Sequence, residues 1–109
     1  MKYIEYELFH KLYDCAKECG DVDNFIEEQM EELYRLEIDD KALLLRFIHK
    51  LSGMGIKDIR EYLGMLRPQF CKTYDIKLRT LEDWEYEKNK IPERLLKLLS
   101  YTLVIDFLN

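Results

Sequence analysis

Cys15 and Cys19 stand four residues apart and would share one helical face, with His10 on the adjacent stretch. Two thiolates and an imidazole could ligate zinc. A zinc site, however, wants four donors in paired short spacings. The chain supplies no second pair, since Cys71 and His49 each stand alone. We therefore expect no metal, and read the cysteines as small buried hydrophobes. His49 follows Arg46-Phe47-Ile48 and reads as a surface or boundary residue of a helix. No Ser/His/Asp or Cys/His spacing, phosphate-cradling glycine loop or paired metal ligands can be found. We expect no catalytic residues, no cofactor and no enzymatic activity.

The 109 residues suit one domain, or a small domain with an appendage. Apolar residues at 48% allow a core, and charged residues at 36% solvate the surface. Two prolines and four glycines leave little room for disorder. The longest stretch without a charged residue, Leu98 to Ile105, is far too short to span a bilayer. Residues 1–9 lack the apolar run of a signal peptide. The expectation is a cytoplasmic protein with no membrane partner. The odd count of three cysteines then argues against a disulfide framework.

Charge divides the chain. Residues 1–52 hold 7 Lys/Arg against 13 Asp/Glu, a net of −6, and residues 53–109 hold 10 against 9, a net of +1. Such asymmetry suggests two faces with different partners. The first half reads as three helices. Tyr3, Tyr6, Phe9 or His10, Tyr13 and Ala16 recur at helical spacing until Gly20. Asp21 or Asp23 can cap a second helix from Asn24 to about Leu36, whose apolar residues are Phe25, Ile26, Met30, Leu33 and Tyr34. Glu27, Glu28, Glu31 and Glu32 fall on its opposite side as an acidic stripe. That stripe is either a solvated face or a surface for a basic partner. Asp39 or Asp40 caps a third helix through Ala42 to Leu51, with Leu43, Leu44, Phe47, Ile48 and Leu51 close to core-like. Ser52-Gly53-Met54-Gly55 marks a boundary. We therefore expect an acidic helical region over 1–52, for dimerisation or partner binding, and a second domain over 53–109.

In the second half the apolar positions come in short bursts separated by tight turns: Ile56, Ile59, Leu63; Met65, Phe70, Tyr74; Ile76, Leu81, Trp84; Ile91, Leu95, Leu98, Leu99. The fold class expected is all-α, a small helical bundle. Residues 98–108 are apolar on nearly every side, so a helix there should be buried all round, by residues 3–51 or by a second chain. A strand over Tyr101 to Phe107 is the lesser alternative.

Residues 55–100 resemble the helix-turn-helix domain of phage-repressor-type (XRE-like) regulators. The likeness rests on Arg60-Glu61-Tyr62-Leu63-Gly64-Met65, on Phe70-Cys71, on Ile76 after the turn, and on Thr80-Leu81 with Trp84-Glu85. Lys88, Lys90 and Pro92 resemble the family's basic exit loop. Residues 1–52 resemble nothing we recognise. The resemblance implies a first motif helix, Arg67 to Tyr74, crossing a recognition helix, Leu78 to Tyr86, with Cys71 at the close crossing. It also implies that Arg60 pairs with Glu85.

Leu78, Arg79, Glu82 and Asp83 would then face outward, with the helix start entering a major groove. Arg79 matches guanine O6 and N7; Asp83 or Glu82 could accept from cytosine N4; Leu78 could touch a thymine methyl. Arg67, Lys72, Lys77, Lys88 and Lys90 would hold phosphates. Four positions depart from the family. Leu66 and Lys77 stand at helix starts that usually carry Ser or Thr, and Asp75 and Glu87 stand where glycine is usual. Pro68 partly compensates for Leu66, since proline suits a first helical turn.

The function implied is a sequence-specific transcriptional regulator that binds double-stranded DNA. Five phosphate-holding cations suit a homodimer better than a monomer. The competing expectation is a protein-binding inhibitor that keeps this scaffold, resembling an antitoxin or an anti-CRISPR protein. It would set the acidic surface of Glu27, Glu28, Glu31 and Glu32 against a basic protein.

Overall fold

The structure is a computed structural model that describes residues 2–109. It is all-helical: α1 Tyr6–Glu18, α2 Val22–Gln29, α3 Lys41–Ser52, α4 Ile56–Tyr62, α5 Arg67–Tyr74, α6 Leu78–Glu85 and α7 Glu93–Leu108, with a short 3₁₀ turn Met30–Leu33. No strand forms among the described residues, and Tyr101 to Phe107 lie within α7. The chain divides into two units, Met1–Gly53 with Lys97–Asn109, and Met54–Leu96. The boundary after Gly53 falls within the Ser52–Gly55 breaker. Most of α7, expected with the second half, packs with the first. The charge contrast survives this regrouping: residues 54–96 hold 9 Lys/Arg against 8 Asp/Glu, a net of +1, and the rest hold 8 against 14, a net of −6.

In the first unit α1 buries Phe9, Leu12, Tyr13 and Ala16 at helical spacing. Of the two candidate caps for α2, Asp21 serves: its carboxylate accepts from the N–H groups of Asp23 and Asn24 at 2.9 and 3.2 Å. Asp40 caps α3, accepting from the Leu43 N–H at 2.9 Å, while Asp39 meets Lys2 at 3.0 Å. α3 buries Leu44, Leu45, Phe47, Ile48 and Leu51.

Several expectations are corrected here. The second helix stops at Gln29 and tightens into the 3₁₀ turn instead of running to Leu36. Glu27/Glu31 and Glu28/Glu32 would be like-charge neighbours four apart in a continued helix, and carboxylates oppose a helix C-terminus. Tyr34 and Leu43, read as inward-facing, are exposed; the buried place next to Leu44 belongs to Leu45. Tyr3 lies before α1 and is exposed, whereas Ile4 is buried and its carbonyl accepts from the Tyr101 hydroxyl. α7 is not buried all round. Leu99, Ser100, Leu103 and Val104 form one buried face, and Leu98 and Phe107 are exposed. Only Cys71 of the three cysteines is buried; Cys15 and Cys19 are half-buried.

In the second unit a small core forms from Ile56, Ile59, Phe70, Cys71 and Leu81, with α6 packed on both α4 and α5. Three consecutive helices end in the same way. Gly64, Asp75 and Glu87 adopt left-handed backbone, with φ of 67°, 55° and 59°. After each, the next N–H reaches back to the helix: Met65 to the Arg60 carbonyl, Ile76 to the Cys71 carbonyl and Lys88 to the Asp83 carbonyl, at 3.2, 3.0 and 2.8 Å. These are Schellman ends, which favour glycine because a side chain crowds left-handed backbone. Here two of the three are made without it.

Candidate nucleic-acid interface

α5 and α6 are joined by Asp75-Ile76-Lys77, and the left-handed Asp75 turns the chain between them. Proline at the start of α5 suits its first turn, where Leu66 makes no side-chain cap. Lys77 precedes α6 without capping it. Cys71, buried on α5, has its thiol held above its usual range by burial and by the nearby Glu85 and Glu82 carboxylates. It is a packing residue rather than a reactive one.

The angle of α6 is braced by one carboxylate. Arg60 of α4 donates from Nε and Nη2 to the two oxygens of Glu85 at 2.8 and 2.9 Å, and from Nη1 to the Met65 carbonyl at 3.0 Å. The Glu85 side chain has 0% exposure. Burial alone pushes its carboxyl up, but the Arg60 hydrogen bonds and the Arg60 and Arg67 charges outweigh that and hold it below the usual carboxylate range. Arg60 is in turn raised, chiefly by its hydrogen bonds to Glu85.

Arg67, expected on phosphate, joins this network. Its Nε donates to Glu85 Oε1 at 3.2 Å, and its guanidinium lies 5.2 Å from the Tyr86 ring centre. Sequence reasoning assigned Glu85 one partner where there are two.

The remaining expected residues sit as follows. Leu78 and Arg79 are exposed at the start of α6, while Leu81 is buried beneath them. Lys72, Lys77, Lys88 and Lys90 are exposed. Glu82 and Asp83 are half-buried. Arg79 Nε lies 3.4 Å from Asp83 Oδ1, a pair that the four-residue spacing could have revealed. Arg79, Glu82, Asp83, Tyr86 and Lys88 line one shallow depression of about 180 Å³. Lys90 lines a different cleft, of about 350 Å³, with Trp84, Ile91 and Gly55. Glu27, Glu28, Glu31 and Glu32 belong to the other unit and are all exposed; Lys11 meets Glu32 at 3.3 Å.

The comparisons add no relative: no protein-family model, no curated protein and no solved structure matches this chain. Any function must be argued from the residues themselves.

Outside this region, one charged cluster escaped sequence reasoning. The buried Lys97 ammonium donates to His10 Nδ1 and to Asp14 Oδ1, each at 2.8 Å, and lies 5.7 Å from the Tyr13 ring centre. His10 Nδ1 must therefore accept, which puts the ring proton on Nε2. The cluster ties α7 to α1, with Lys97 buried and the His10 and Asp14 side chains half-exposed. His49, the other histidine, is half-buried, with its Nε2 2.7 Å from the Cys19 carbonyl and its ring against Phe25. Among the described residues, no three His, Cys, Asp or Glu side chains converge as metal ligands. No helix there is long and apolar enough to cross a membrane.

Proposed function

We propose that residues 54–96 form a helix-turn-helix module that binds double-stranded DNA, with the start of α6 entering the major groove. One observation carries the reading. A recognition-type helix is fixed from behind by the Arg60–Glu85 pair and by buried Leu81, and it presents Leu78 and Arg79 outward at its N-terminal end. That end is where such helices meet base edges. Arg79 is the base reader, suited to guanine, and Leu78 is placed for a thymine methyl. Lys72, Lys77, Lys88 and Lys90 supply phosphate contacts, while Arg67 is engaged with Glu85. Such a protein is a cytoplasmic regulator rather than an enzyme. It acts as a homodimer, because one copy offers few cations and two half-sites a helical turn apart double them.

The test is fluorescence anisotropy with a duplex from upstream of the protein's own gene, titrated at several salt concentrations. Binding should weaken with salt by roughly 0.9 log units per log unit of salt for each phosphate neutralised. Arg79→Ala should bind more weakly and less selectively. No binding at low salt, or binding indifferent to Arg79, sinks the reading.

A second reading draws on a different observation: Glu27, Glu28, Glu31 and Glu32 are all exposed in a unit of net charge −6. They suit an inhibitor, antitoxin-like or anti-CRISPR-like, that blocks a basic protein. Capture of an Arg/Lys-rich nuclease or toxin should then fail when all four glutamates are changed to lysine, and unchanged capture removes this reading.

A further inference from the structure

We propose that Asp83 is a positioning residue that holds the Arg79 guanidinium for guanine, and that it does not itself read cytosine. The proposal rests on the DNA-binding reading above and names the base pair that α6 selects. Arg79 Nε lies 3.4 Å from Asp83 Oδ1, with the arginine side chain 81% exposed and the aspartate 20%. The cation stands in front and the carboxylate behind it. Nε is the guanidinium nitrogen paired with Asp83, which leaves the two terminal nitrogens as donors for a base. Two parallel donors match guanine, which offers O6 and N7 as acceptors, and mismatch adenine, which offers N7 beside an N6 donor.

Helix stability does not account for the pair. Arg79 sits in the first turn of α6 and Asp83 in the last, so each charge opposes the helix dipole at its end. An acid following its base by four residues is also the less favourable order. An exposed pair of this kind stabilises a helix little in any case. Its effect on recognition is larger. A free arginine loses much side-chain freedom on meeting a base, and an anion behind it limits that freedom beforehand. The same anion repels phosphates, so it weakens binding to DNA of any sequence while sharpening choice among sequences.

The experiment uses the full chain. A preferred site is selected from random-sequence duplexes, and anisotropy then measures that duplex, its single-base-pair variants and a random duplex. The parent should discriminate at one G·C pair by about tenfold or more. Arg79→Ala and Asp83→Ala should both lose discrimination at that same pair. Asp83→Ala should bind the random duplex as well as the parent or better, and Asp83→Asn should recover part of the discrimination. The Arg79→Ala/Asp83→Ala double variant should discriminate no worse than Arg79→Ala alone. Full discrimination by Asp83→Ala at the Arg79 pair overturns the proposal, as does a loss at a different base pair. If the parent binds no duplex, the DNA-binding reading falls first and takes the proposal with it.

Discussion

Arg60 grips Glu85 with two hydrogen bonds, one to each carboxylate oxygen, 2.8 and 2.9 Å long, so that the last residue of α6 is fixed to α4. Arg67 adds a third bond to the same carboxylate at 3.2 Å. One buried anion thus joins three helices of the second unit.

The two arginines should not be equal when removed. Arg60 makes both short bonds and is itself largely buried; Arg67 is more open to water. Arg60→Ala should destabilise by about 3 kcal/mol, the lower end for breaking one side of a buried pair, because Arg67 still faces the carboxylate. Arg67→Ala should lose about 1 kcal/mol or less, since solvent screens it. Urea unfolding of both variants checks the order, and a larger loss from Arg67→Ala would contradict the geometry.

Stability should also depend on acid through Glu85. Its carboxyl titrates below the ordinary range in the folded state. Between the folded and unfolded values the unfolded chain binds more protons, so stability rises with pH there. The contribution is complete above the unfolded value, about pH 4.3, and is lost as pH falls through the folded one. Glu85→Gln should be less stable at neutral pH and should flatten this part of the urea-midpoint profile. A variant profile as steep as the parent's would assign the acid sensitivity to other carboxylates.

The helix ends invite a stabilising change. Glu87 and Asp75 hold left-handed backbone that glycine adopts without strain. Aspartate tolerates that conformation better than glutamate does. Glu87→Gly should therefore stabilise by about 1 kcal/mol and Asp75→Gly by less. Thermal unfolding should show melting temperatures ordered Glu87→Gly, Asp75→Gly, parent. A fall for Glu87→Gly would mean that its side chain contributes more than its backbone strain removes.

Those same positions explain how much of the structure was legible. Gly64, Asp75 and Glu87 punctuate the second unit, and the resemblance placed α5 and α6 almost to the residue. The Arg60–Glu85 pair followed because it joins two positions of one pattern. The contacts of Arg67 with Glu85 and of Arg79 with Asp83 were not foreseen, since side-chain geometry decides which charges meet. In the first unit the apolar pattern located helices but not their ends: Asn24 to about Leu36 reads as one helix, and the helix stops at Gln29. Leu43, Leu44 and Leu45 are consecutive leucines, and periodicity cannot say which one faces water. The allegiance of α7 depends on long-range packing that no local window contains.

Leu66 is the last position where local chemistry makes a prediction. It stands at the N-cap of α5 in extended backbone, with φ −75° and ψ 159°, and its side chain makes no cap. It is also 75% exposed, so little apolar burial is lost on replacing it. The backbone is already in the conformation that a capping serine or threonine needs to reach the Gln69 N–H three residues on, Pro68 having no N–H to offer. Leu66→Ser should therefore stabilise by about 1 kcal/mol, raising the melting temperature by roughly 4 °C in a chain of this size. Leu66→Ala is the control, because it removes the same exposed side chain without offering an acceptor. If the serine variant melts no higher than the alanine one, the first turn of α5 is satisfied without a cap, and Pro68 alone accounts for how this helix begins.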